Sequence, residues 1–316
     1  MKRRLLTFLT SALLLLATAL NASAYSAGDT FEVSMGLEGL MSGSSSSEPA
    51  YYKFTVNEDG NSCTLTSAQF QTSGVLPQQY RQNINITIPT TAGGLTVTAI
   101  GNRVFGSCSN VKSITIPESV KEIGDYSFQG CSSLVTLNLG GVEKIGNSCF
   151  YFSGADYQKK LTAVDLSKVK VIGNNSFVNF PNLVDVTLSP ELESLGTGSF
   201  QGCPKVELEF PENSRYTVID KIVYECNGTG ADKKPQTLLM LQPNFNDADV
   251  TVPATVTSIA SRAFEGNSSI QSIDLGNVQT VGNYAFMNCP KLVTVEGSEN
   301  IVNLGASAFS DCTTLN

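Results

Sequence analysis

Phenylalanine recurs along this chain at intervals that a stacked repeat explains. Phe105, Phe128, Phe150, Phe177, Phe200, Phe264, Phe286 and Phe309 are separated by steps of 23, 22, 27, 23, 64, 22 and 23 residues. Each sits in the same frame. Ile-Gly or a close equivalent precedes the Phe, a Cys often follows, and then come a Leu and a closing Ile-x-Ile/Leu. The first copy reads Ile100-Gly101, Phe105, Cys108, Val111, Ile114 and Ile116. The second reads Ile123-Gly124, Phe128, Cys131, Leu134, Leu137 and Leu139. A unit of about two dozen residues cannot bury its own apolar face, but a stack of such units can, so the period predicts a solenoid.

The pattern inside one unit assigns its local structure. Leu-x-x-Ile-x-Ile puts alternate apolar residues on one face, which is a strand. Pro117 and Pro190 follow such strands and turn the chain. Val-x-x-Ile-Gly predicts a second short extended segment. The x-Ala/Ser-Phe-x-x-Cys piece is too short for a long helix and predicts a single helical or 3₁₀ turn. The 64-residue step holds an insert near residues 211–253. There Tyr216, Val218 and Ile222 to Tyr224 precede NGTGADKKP, and Leu238, Leu239 and Leu241 follow. Two short strands around a polar turn are expected, with Val252-Pro253 re-entering the repeat.

These residues resemble the BspA-type leucine-rich repeats of bacterial surface proteins, over residues 50–316. The resemblance implies a leucine-rich repeat solenoid, β-rich and horseshoe-like, with parallel strand ladders joined by short helical or 3₁₀ turns. It also implies adhesion, with a protein ligand such as host extracellular matrix or neighbouring cells. The expected organisation is a signal peptide at 1–24, a flexible N-terminal segment at 25–49, a β lead-in that caps the solenoid at 50–99, and repeats over 100–316. The last repeat is truncated, because Leu315 has no following Ile-x-Ile strand.

The signal-peptide assignment rests on Lys2, Arg3 and Arg4, the apolar run Leu5 to Leu20, and the cleavage motif Ala22-Ser23-Ala24. Cleavage leaves 17 Lys+Arg against 28 Asp+Glu, a net charge of −11, and no later segment apolar enough to span a membrane. Such an acidic surface disfavours nucleic acid, whose phosphates require clustered Lys and Arg. The chain has no His and no Trp. That excludes Ser-His-Asp and Cys-His catalysis, HExxH zinc sites and histidine pH switches. No phosphate-binding loop or nucleophile elbow is present either, and no cofactor, metal or catalytic residue is expected.

Two residue sets remain as candidates. Cys108, Cys131, Cys203, Cys289 and Cys312 each fall three residues after a repeat Phe, where Phe180 and Asn267 stand in other copies. The slot does not demand sulfur, so buried free thiols are expected, although neighbouring rungs could bring two cysteines within bridging distance. The outward positions of the Ile-x-Ile strands supply the second set. Asn138, Asp165, Asp185, Thr187, Asp274 and Glu296 are the candidate binding face. The plainer reading of that face is a solvated surface that prevents aggregation. Two other functions fit the same features: a surface module capturing carbohydrate or peptide, and an accessory region of a larger enzyme.

Overall fold

The computed structural model describes residues 5–6, 25–35, 50–69, 84–109, 111–153 and 160–315. The signal-peptide segment, apart from Leu5–Leu6, and the serine run at 42–47 lie outside the described residues.

Each repeat contributes two strands to parallel ladders. One face is built from two short parallel ladders, Val111–Thr115 with Thr136–Asn138 and Ala163–Leu166 with Asp185–Leu188. Its inward residues, among them Ile114, Val164 and Leu166, are buried. Another ladder is built from the Ile-Gly segments. Leu95–Ile100 pairs with Glu122–Ile123, then Lys144–Ile145, Val171–Ile172 and Ser194–Leu195, always in register. The fold class expected from the repeat is therefore the one observed.

The piece around each Phe forms a third column, and it is not a helix. Among the described residues the one 3₁₀ helix is Ser298–Asn300, far from this piece in its rung. Left-handed residues break any helix, in most rungs one on each side of the Phe and in the Phe150 rung Ser148 alone. Examples are Arg103 and Ser107 around Phe105, and Tyr284 and Asn288 around Phe286. Single i−3 bonds survive, such as Cys108 N–H to Phe105 O at 3.3 Å. The backbone otherwise bonds to the next rung. Arg103, Phe105 and Ser107 donate to the carbonyls of Asp125, Ser127 and Gln129 at 2.9, 2.7 and 2.6 Å. Alternating φ sign thus lets a turn stack like a strand, and the local turn is subordinate to the column.

Side chains reinforce this stacking. The Phe rings lie face to face, with centroids 5.1 Å apart for Phe105–Phe128 and 5.4 Å for Phe128–Phe150. The residue after each Ile-Gly acts as a rung-to-rung clasp. Oδ1 of Asn102 accepts from Asp125 N–H at 2.8 Å, and Oδ1 of Asn147 accepts from Asn174 N–H at 2.9 Å. Behind them, the buried Ser176 hydroxyl lies between two carbonyls to which it can give its one proton, Gly146 O at 2.9 Å and Gly173 O at 2.6 Å. Each clasp satisfies backbone that the rung geometry would otherwise orphan.

The N-terminal lead-in is an antiparallel meander whose last strand, Ser62–Gln69, joins the Ile-Gly ladder beside Leu95–Ile100. Tyr52 meets Phe105 edge-on at 5.8 Å, closing that end of the ring stack. One strand of the meander, Thr30–Met35, falls within the stretch expected to be flexible, 25–49. Phe31 is buried, and Val33, on the same strand face, packs against the core, a short alternation that the neighbouring serine run obscures.

The insert holds three strands rather than two: Tyr216–Ile219, Ile222–Asn227 and Lys234–Leu241. Asp220 and Lys221 both take positive φ, so the first hairpin closes on a two-residue turn of the type that fits strand twist. The three strands form a septum buried on both sides. Tyr216, Val223, Leu239 and Met240 pack into the core of the preceding rungs. Ile222, Tyr224 and Leu238 pack into a second core with the rungs that follow. Two polar side chains of the septum imitate the next rung. The Tyr216 hydroxyl accepts from Leu195 N–H at 2.9 Å and donates to Glu193 O at 3.3 Å. The buried Gln242 amide both accepts from Leu208 N–H at 2.9 Å and donates to Leu208 O at 2.7 Å. Repeats then restart, with Leu238 paired to Ile259 and the ladders continuing through Thr280–Val281 to Asn303–Leu304.

Candidate binding face

The strand register decides which candidate side chains meet. Asp165 stands beside Thr187, and Asp185 beside Ala163. Asp274 is flanked by Thr251 and Glu296. Asn138 lies on a separate ladder, beside Thr115. The face is therefore three patches rather than one column, because strand pairing is broken between Asn138 and Ala163 and again between Leu188 and Asp249. Apart from the half-buried Asp274, all six residues are exposed.

Three of the six have a structural duty. Oδ1 of Asn138 accepts from Gly140 N–H, that of Asp165 from Ser167 N–H, and that of Asp274 from Gly276 N–H, each at 2.9 Å. Each side chain closes the turn that ends its strand. The Ser167 hydroxyl and amide hold the Asp165 carboxyl below the usual carboxylate range. Asp185, Thr187 and Glu296 carry no such turn. Neighbouring outward positions are also cross-linked, with the Ser272 hydroxyl donating to Asp249 Oδ1 at 2.6 Å.

Sequence reasoning missed four outward residues in the interruption. Asp249 and Thr251 begin the third ladder, in register with Ser272 and Asp274. Glu207 and Glu209 flank buried Leu208 in the rung before the septum. That rung reads Val206, Leu208, Phe210, one residue shorter than Leu183, Val186, Leu188 in the rung before it. The contraction from Leu-x-x-Val-x-Leu to Val-x-Leu-x-Phe was the available signal.

On the Ile-Gly ladder, charge is neutralised internally. Glu143 lies between Lys121 at 3.4 Å and Lys170 at 3.2 Å, and Lys170 reaches Glu191 at 3.6 Å. Lys144 pairs with Glu122, and Lys168 with Glu118. The hydrogen bond and charge of Lys170 hold the Glu143 carboxyl below its ordinary range. Exposed pairs of this kind stabilise little. The turn column carries two matching pairs, Arg103 over Tyr126 and Arg262 over Tyr284, both at 4.6 Å.

The cysteine slot points into the core. The Cys203, Cys289 and Cys312 thiols donate to the carbonyls of Phe177, Phe264 and Phe286 at 3.0, 3.1 and 3.0 Å. Cys63, Cys108, Cys131, Cys149, Cys226, Cys289 and Cys312 are free. Burial pushes the Cys108 thiol up to about 11 and those of Cys63 and Cys289 up to about 12. Thiol titration of the folded chain near pH 8 should therefore be slow, since the thiolate is the reacting form. In denaturant without reductant, at least seven thiols should react; a count of four or fewer would show bridging. Among the described residues, no three His, Cys, Asp or Glu side chains gather as metal ligands would, and no helix is long and apolar enough to cross a membrane.

Comparison with known proteins agrees with this geometry. The family model described as BspA type Leucine rich repeat region matches in 6 copies, over residues 79–207, 153–235 and 243–316. The fold is similar to that of the pneumococcal vaccine antigen PcpA, at 18% identity, 92% coverage of this chain, 81% of that chain and a TM-score of 0.58. A leucine rich cell surface protein from Faecalibacterium prausnitzii is 26% identical over 86% of this chain and 83% of its own, with a TM-score of 0.49. No curated protein matches by sequence.

Proposed function

The chain belongs to the BspA-type leucine-rich repeat family, and from that premise we propose that it is exported, is displayed at the cell surface or secreted, and acts by binding protein. Adhesion is its task, and the ligand class is extracellular matrix or the surface of a neighbouring cell. The reading assigns no catalytic step to the chain. The N-terminal address, with its basic start and apolar run, supports export.

One observation carries the binding assignment. The solenoid presents outward strand positions in fixed register, with the strand ends tied by Asn138, Asp165 and Asp274. A surface so ordered before contact loses little entropy on binding, which suits recognition of another protein. Asp165, Asp185, Asp274 and Glu296 give it negative charge, so complementary ligands are basic.

The test is retention on a panel of matrix proteins, run beside a glycan array. Asp165→Asn/Asp185→Asn/Asp274→Asn removes three charges, and Asn138 already shows that an Asn can close this turn. The triple variant should keep its unfolding midpoint and bind the retained matrix protein on the order of tenfold more weakly. Unchanged binding would remove this face from the site. Binding to glycans with no matrix protein retained would favour the carbohydrate-capturing module instead.

A further inference from the structure

The seam where the repeats are interrupted holds an open groove of about 730 Å³. Glu207, Glu209 and Glu212 line one side, and Phe210, Val218 and Ile219 supply apolar surface. Ile219 is 37% exposed, one of the few large apolar side chains left open to solvent.

In the rungs before it, four of the five glutamates are paired, Glu193 being the exception. Glu118, Glu122, Glu143 and Glu191 each have a lysine partner. Among the described residues no ion pair involves Glu207, Glu209 or Glu212, although all three are exposed. The one cation in the lining, Lys233, offsets one of these three charges but makes no ion pair with any of them. Lys233 Nζ donates to the carbonyls of Glu212, Ser214 and Tyr216 at 3.1, 2.9 and 2.8 Å, which occupies all three of its N–H donors. The groove thus combines an excess of negative charge, three carboxylates against one ammonium, with apolar contact area. Glu207 and Glu209 are both exposed on either side of buried Leu208, an alternation that places them on the same side of the segment.

We propose that this seam groove docks an extended basic segment of a protein partner, with Lys or Arg at alternate positions facing Glu207 and Glu209 and the intervening side chains against Val218 and Ile219. An extended peptide has the same two-residue period as that wall, so its cations meet the carboxylates without distortion. The proposal rests on the reading of the chain as a protein-binding module, and it names where and what that module takes.

The experiment uses the full chain and a capped, fluorescent peptide of four Lys-Thr pairs, with anisotropy as the readout. A peptide of the same composition with its four lysines contiguous is the control for non-specific attraction. The alternating peptide should bind saturably and on the order of tenfold more tightly than the block peptide. Its affinity should fall as salt rises from about 50 to 200 mM. Glu207→Gln/Glu209→Gln/Glu212→Gln should weaken it on the order of tenfold with the unfolding midpoint unchanged, whereas Asp165→Asn/Asp185→Asn/Asp274→Asn should leave it unaltered. No saturable binding, equal binding of the two peptides, or an unaffected glutamine variant would overturn the proposal. Retention of a matrix protein without peptide binding would sink the groove alone. Peptide binding by the groove with no protein retained from the panel would sink the adhesion reading alone.

Discussion

Gly173→Val should destabilise the chain by about 3–5 kcal/mol, lowering its urea midpoint sharply. Gly173 has no room for any side chain. A Cβ there would lie 2.6 Å from Asn147 N and 2.6 Å from Gly146 C, both backbone atoms of the adjacent rung. Relief requires the rungs to separate, which stretches Gly173 N–H to Ile145 O and Asn174 N–H to Asn147 Oδ1, both at 2.9 Å. The cause is proximity and not backbone conformation, since φ is not positive at this glycine. Ala260 provides the comparison. It holds the same place in its rung but stacks on the septum strand, donating to Leu238 O at 2.8 Å. Ala260→Gly should therefore cost only about 1 kcal/mol, the ordinary penalty of added chain freedom. A Gly173→Val protein within about 1 kcal/mol of the parent would mean that the rungs are not packed this closely.

Phe177→Ala is expected to be as damaging, at about 3–5 kcal/mol. Its ring is fully buried and stacked on both sides, 5.0 Å from Phe150 and 5.5 Å from Phe200. Truncation removes both stacked contacts and a tilted one to Phe180 at 6.3 Å, and leaves a cavity between parallel ladders that resist collapse. Phe309 has one ring neighbour, Phe286 at 4.9 Å, and is only partly buried, so Phe309→Ala should cost less than half as much. Chemical denaturation followed by circular dichroism reads both variants. Equal losses at the two sites would show that stacking position does not matter and would count against a continuous ring column.

The rungs were legible because every copy repeats the same inward residues. Phe105 to Phe200 at near-constant steps, with Ile-Gly before and Ile-x-Leu after, leave one way to bury the apolar atoms. What escaped was chemistry that exists only between distant segments. Nothing local marks Tyr216 or Gln242 as a substitute rung, since their partners Leu195 and Leu208 lie 21 and 34 residues away. Asp220-Lys221 is a hairpin turn without the glycine that usually signals one. The piece around each Phe reads as a single helical or 3₁₀ turn because it is too short for a longer element. The left-handed residues on either side, such as Asn175 and Asn179 around Phe177, are fixed by hydrogen bonds to the next rung. For the binding face, polarity and alternation located the columns. The division of labour between Asp165, which closes a turn, and Asp185, which does not, depends on where each strand stops.

The central claim is that this chain binds protein through its outward strand positions and seam. Hydrogen exchange of the full chain, alone and with the matrix protein it retains, tests it most directly. The account predicts slowed exchange in peptides covering Ala163–Leu166, Asp185–Leu188 and the segment 207–212, with the turn column around Arg103 and Tyr126 unchanged. Protection confined to the turn column, or no retained protein to footprint, would contradict it.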